Sequence, residues 1–87
     1  MGRTLKMTVS IEFLGMQRAI AKSDRIDMPI TRRTRVIDAL EHVRREYPGL
    51  HLDERTVLIT VNQEMAALDT LLKANDTVLF LPSISGG

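Results

Sequence analysis

The residues that invite chemistry stand at the end of the chain, where "FLPSISGG" finishes on Gly86 and Gly87. Glycine loses more conformational freedom on folding than any other residue, so a pair of them is a poor end for a packed element. It is a good end for a segment that enters another protein. Without Cβ atoms, both residues and the terminal carboxylate can pass through a slot too narrow for side chains, and both reach dihedrals closed to other residues. Extended, residues 82–87 reach at most ~20 Å. Pro82 stiffens the exit, and the segment carries no charge besides the carboxylate. The reactive group offered by this pattern is the C-terminus itself. A carboxylate is a poor electrophile because its leaving group would be oxide; as a mixed anhydride it has a good one.

Other chemistries find little support. Cysteine is absent, which removes thiolate nucleophiles, disulfides and thiolate metal ligands together. His42 and His51 lack a third ligand at metal-binding spacing, so no metal site is expected, and no bound cofactor. Twelve basic residues stand against 11 acidic ones, leaving a net charge of +1 and no bulk field for nucleic acid. With only 3% aromatic residues there are few rings for base stacking. The basic cluster of Arg32, Arg33 and Arg35 is read as solvated surface. No apolar run approaches the ~20 residues of a membrane span. No signal peptide is recognised, and Lys6 stands where a myristoylation pattern wants Ser or Thr. A soluble cytoplasmic protein is the expectation.

The remaining residues must form a body that holds this end out. A chain of 87 residues is one small domain. Its rings are Phe13, Tyr47 and Phe80, so the core is expected to be aliphatic. In "KMTVSIEFL", Met7, Val9, Ile11 and Phe13 alternate with Thr8, Ser10 and Glu12, the period of a half-buried strand. Gly15 reads as a turn. A second strand is expected within residues 18–30, with Ile26, Met28 and Ile30 on one face and Pro29 marking a sheet edge. "TRVIDALEHVRREYPG" predicts the only helix. Val36, Leu40, Val43 and Tyr47 form its apolar stripe with Ile37 beside it. Thr34 is the expected cap, Arg44 and Arg45 suit the last turns, and Pro48-Gly49 stops it.

Residues 56–62 read as a third strand with Val57, Ile59 and Val61 inward, followed by a short strand around residues 65–67. A turn at Asn75-Asp76 leads to a last strand over residues 77–81, with Val78 and Phe80 inward. The predicted class is therefore α+β: a mixed sheet of four to five strands with one main helix packed on one face. A β-grasp, or ubiquitin-like, arrangement is the simplest way to fold that order. Residues 1–81 form the expected domain and residues 82–87 a flexible tail. Parity turns Leu14, Leu58, Leu79 and Leu81 to the face away from the helix, with Met65 on the neighbouring turn or strand.

Three stretches carry a resemblance. Val61-Asn62-Gln63 ends a strand, residues 69–78 read "DTLLKANDTV", and residues 82–87 read "PSISGG". Together they are similar to the MoaD/ThiS sulfur-carrier family, most of all to its molybdopterin synthase small subunits. "EFLGMQRAI" also resembles the family's first-strand exit. Asn75 replaces the family's usual glycine and can serve the same turn. The resemblance implies that an E1-like enzyme adenylates the Gly87 carboxylate with ATP and that a sulfur donor then displaces AMP to leave a thiocarboxylate. It further implies an apolar docking surface for that enzyme and for the large synthase subunit or another sulfur acceptor. The corresponding residues are Leu14, Met65 and Leu81, with Arg18 as a polar rim and Pro82 and Ile84 on the tail. Two other readings share this fold. One is a protein modifier joined to lysines through Gly87, which more often bears arginine before its glycines; the other is an interaction module without chemistry.

Overall fold

The computed structural model describes residues 7–81. The predicted tail, with Pro82, Ile84, Gly86 and Gly87, lies outside the described residues. β1 (Met7–Glu12) pairs antiparallel with β2 (Arg25–Ile30), Met7 opposite Ile30 and Glu12 opposite Arg25. β5 (Thr77–Leu81) lies along the other side of β1 in parallel register and also pairs antiparallel with β3 (Leu58–Val61). β4 (Glu64–Met65) closes the far edge. The order is β2-β1-β5-β3-β4, a mixed five-stranded sheet with β5 at its centre. Pro29 is exposed on edge strand β2, where proline is tolerated.

One face of this sheet is covered by α2 (Val36–Glu46). Val36, Ala39, Leu40 and Val43 are fully buried against Val9, Ile11, Ile59, Val78 and Phe80. The predicted stripe therefore holds, with Ala39 added and Tyr47 half-buried at its end. Tyr47 meets Phe13 edge to face, ring centroids 5.5 Å apart. Ile59 is buried as read, whereas Val57 and Val61 are half-buried at the core margin. Leu40 sits at the helix–sheet contact with no exposure, so Leu40→Ala should cost about 2–5 kcal/mol through lost burial and the cavity left behind. Urea unfolding should show this as a lower midpoint at unchanged slope.

Three local readings are corrected. The helix of residues 36–46 is not the only one. The second strand lies within residues 18–30 as read, at Arg25–Ile30, while α1 (Met16–Ala21) occupies the segment after the Gly15 turn. A single 3-10 turn also spans Pro48–Leu50. α1 is too short to show a helical period in the sequence, and helices of that length depend on tertiary contacts. Its contacts are the buried Gln17 and Ala21, and Lys22 closes it in a left-handed conformation. Thr34 is not the cap of α2. Its hydroxyl accepts from the Thr31 N–H at 2.9 Å, and Arg35 stands at the N-cap with its N–H donated to the Asp38 carboxylate at 2.8 Å. The first helical amides, Val36 and Ile37, donate to the Thr70 and Leu68 carbonyls of the crossing 66–76 connection, so no hydroxyl is needed there. The short strand is Glu64–Met65 rather than residues 65–67, because the hairpin before it needs only Asn62 and Gln63, both at positive φ.

Candidate docking face at the tail exit

The sheet face away from α2 is assembled from three cross-strand rows that follow from the register. The first is polar: Asp27, Ser10 and Thr77, with Asn62 at its end. The middle row runs Arg25, Glu12, Leu79, Thr60 and Met65. The third contains Leu81 opposite Leu58, and one further repeat of the β1–β5 register brings Leu14 level with Leu81. Apolar character therefore rises row by row towards the end of β5, where the chain passes into residues 82–87. Leu14, Leu58 and Met65 are 43%, 48% and 64% exposed, and Leu79 and Leu81 are half-buried. Exposed apolar side chains grouped in this way make the face a candidate contact surface.

Of the predicted partner-binding residues, the described ones, Leu14, Arg18, Met65 and Leu81, fall on this surface in two groups. Leu14 and Arg18 line one shallow depression with Glu12, Phe13, Asp24 and Arg25, so the structure brings the apolar and the cationic contact together. Met65 is separate, on edge strand β4, reached from Leu79 across Thr60. Leu81 sits between the two groups and is the last described residue. Arg25 was not singled out from the sequence. Strand parity opposite Ile26 was the signal available for it in the sequence; its cross-strand partner Glu12 is given by the fold. Thr60 is buried beneath its leucine and methionine neighbours, and its hydroxyl has no hydrogen-bond partner among the described residues.

The frame of this face is held by polar side chains, of which Asp76 and Gln17 are buried. Asn62 donates to Asp76 at 2.9 Å and accepts from the Thr77 N–H at 2.9 Å, while Asp76 also accepts from the Lys73 N–H at 2.8 Å. These bonds tie the β3–β4 hairpin to the Asn75-Asp76 turn, whose Asn75 has the left-handed conformation expected of it. At the opposite end of β5, Gln17 accepts from the Leu14 N–H at 3.0 Å and donates to the Phe80 carbonyl at 2.8 Å. Ion pairs lie elsewhere. Arg44 meets Glu54 at 3.8 Å, and the exposed Asp53 carboxyl is held below its usual range by the Arg55 N–H and guanidinium. Among the described residues, no three His, Asp or Glu side chains gather as a metal site, and no helix is long and apolar enough to cross a membrane.

The model of the ThiS family matches residues 11–87, through both terminal glycines. The chain belongs to the ThiS family. A molybdopterin synthase sulfur carrier subunit of Mycobacterium tuberculosis is 30% identical to this ThiS-family protein over 80 residues, covering 91% of this chain and 96% of the relative. Among solved structures, SAMP1 of Haloferax volcanii superposes with a TM-score of 0.75 at 23% identity, covering 92% of this chain and 99% of that one. A complex of subunits 1 and 2 of molybdopterin-converting factor from Helicobacter pylori includes a chain matched at a TM-score of 0.58 and 24% identity, covering 93% of this chain and 100% of that one. The two structural likenesses establish the shared ubiquitin-like β-grasp fold.

Proposed function

We propose that this ThiS-family protein is a sulfur carrier. An E1-like enzyme joins the Gly87 carboxylate to AMP from ATP, releasing pyrophosphate. Hydrosulfide, supplied by a sulfur donor, then attacks the acyl carbon; the new C–S bond forms as the C–O bond to AMP breaks, leaving a thiocarboxylate. The thiocarboxylate passes its sulfur to an acceptor enzyme, with the large subunit of molybdopterin synthase the first candidate. The observation that carries this reading is the family match running through Gly87 on a chain whose apolar rows converge on the strand leading into that terminus. Docking on Leu14, Leu58, Leu79, Leu81 and Met65, with Arg18 and Arg25 at the rim, would aim the tail into the partner's site. The partner would supply the cations and amides that stabilise the charged transition states. The carrier itself needs no active site.

The relative's designation as a sulfur carrier subunit supports the pathway assignment, and the Helicobacter pylori complex supports a protein partner. Incubation with an activating enzyme, ATP and a sulfur source tests it. Intact mass should rise by the exchange of one oxygen for one sulfur, and an unchanged mass under conditions that load an established carrier counts against the reading. The likeness to SAMP1, a small archaeal modifier protein, favours a second reading in which a lysine amine attacks the activated Gly87. That reaction would give adducts of higher mass instead.

A further inference from the structure

Gln17 occupies a position that the backbone would otherwise fill. In the parallel β1–β5 pairing, the Ser10 N–H donates to the Asp76 carbonyl at 2.9 Å, and Ser10 is level with Thr77 while Glu12 is level with Leu79. Parallel ladders repeat every two residues. The same spacing would carry the Leu14 N–H to the Phe80 carbonyl. Both atoms are instead taken by the Gln17 side chain, the N–H by Oε1 and the carbonyl by Nε2. Only this orientation of the carboxamide satisfies a donor and an acceptor together, which fixes the assignment of its oxygen and nitrogen. Gln17 is buried, although it lies on a helix whose neighbouring Met16 and Arg18 are exposed.

We infer that the Gln17 carboxamide replaces the next rung of the β1–β5 ladder, holding the two strands apart by the width of one amide and setting the relative position of Leu14 and Leu81. Those two residues lie at the end of β5, the last described strand. The main chain turns at Gly15 immediately after Leu14, and a direct rung would pull that turn onto β5. The inserted amide keeps both backbone groups paired while opening the end of the sheet. Gln17 is thus a positioning residue for the docking face. Its effect on partner binding rests on the carrier reading, whereas its effect on the strand ends does not.

Two variants of the full-length, isotope-labelled protein separate its two bonds. Gln17→Met keeps the length of the side chain and loses both bonds. The Leu14 amide should then exchange with solvent about tenfold faster or more, while Ile11 and Val78 in the same strands keep their protection. Gln17→Glu keeps an acceptor for the Leu14 N–H but offers the Phe80 carbonyl no donor. Leu14 should stay protected while the Leu81 amide signal moves, because that amide shares a peptide unit with the Phe80 carbonyl. With the activating enzyme, both variants should raise KM by about fivefold or more at nearly constant kcat, the sign of lost ground-state docking. Unchanged Leu14 exchange in the methionine variant, or identical Leu14 and Leu81 amide responses in the two variants, overturns the rung replacement. An unchanged KM overturns the docking role. If the methionine variant does not fold, the glutamate variant alone decides, since its Leu14 and Leu81 responses must differ. Failure of the parent protein to load would count against the carrier reading and leave the exchange results standing.

Discussion

Addition of one alanine after Gly87 is expected to abolish loading. The added residue turns the Gly87 carboxylate into a peptide carbonyl and moves the only terminal carboxylate about 3.5 Å further along the chain. Misplacement of a reacting group by ~1 Å already costs on the order of a hundredfold in rate, so the extended protein should show no thiocarboxylate over the time that loads the parent completely. A time course of intact mass measures it, with the melting temperature as a control that the sheet and α2 remain folded. Normal loading of the extended chain would remove the terminal carboxylate from the mechanism.

A comparably large loss is expected from Leu58→Asp. Leu58 lies opposite Leu81 in the most apolar row of the open face and is 48% exposed. The carboxylate would have to be desolvated when a partner covers that apolar row. Losses at central apolar contacts reach about 2–4 kcal/mol, which corresponds to roughly 30- to 1,000-fold in affinity. The fold should tolerate the change, because Leu58 faces away from α2 and the low strand propensity of aspartate costs no more than about 1 kcal/mol. Titration calorimetry against the activating enzyme gives the affinity. Arg32→Asp, in the loop before α2, serves as the control and should leave binding nearly unchanged. Equal effects of the two substitutions would mean that the open sheet face is not the docking surface.

Much of this design can be read along the chain because its periodicities are local. Alternation in residues 7–13 assigned Val9, Ile11 and Phe13 to the core, and the helical stripe of Val36, Leu40 and Val43 held without revision. Parity also turned Leu14, Leu58, Leu79 and Leu81 to the open face, since a strand reverses its side chains at every residue. Pro29 marked the sheet edge for the simple reason that it has no N–H to donate. Elements whose stability comes from distant partners were misread. α1 consists of Met16–Ala21, and Gln17 on it is bonded to a carbonyl 63 positions away. The start of α2 was assigned to a side-chain cap because the crossing 66–76 connection that satisfies its first amides is distant in the chain.

The same division holds for the site. Composition and order alone determined that the chain lacks cysteine and builds an aliphatic sheet-and-helix body, and they are what the proposal of a reacting terminal carboxylate rests on. Tertiary structure decided the rest: β5 lies centrally beside β1, Leu81 meets Leu58, Arg25 joins Arg18 beside Leu14, and Gln17 spans the gap between two strands. Side-chain period is a property of a few consecutive residues, so it survives in a linear reading. Which strands become neighbours is set by how the buried faces close over one another, and no stretch of sequence contains that information by itself.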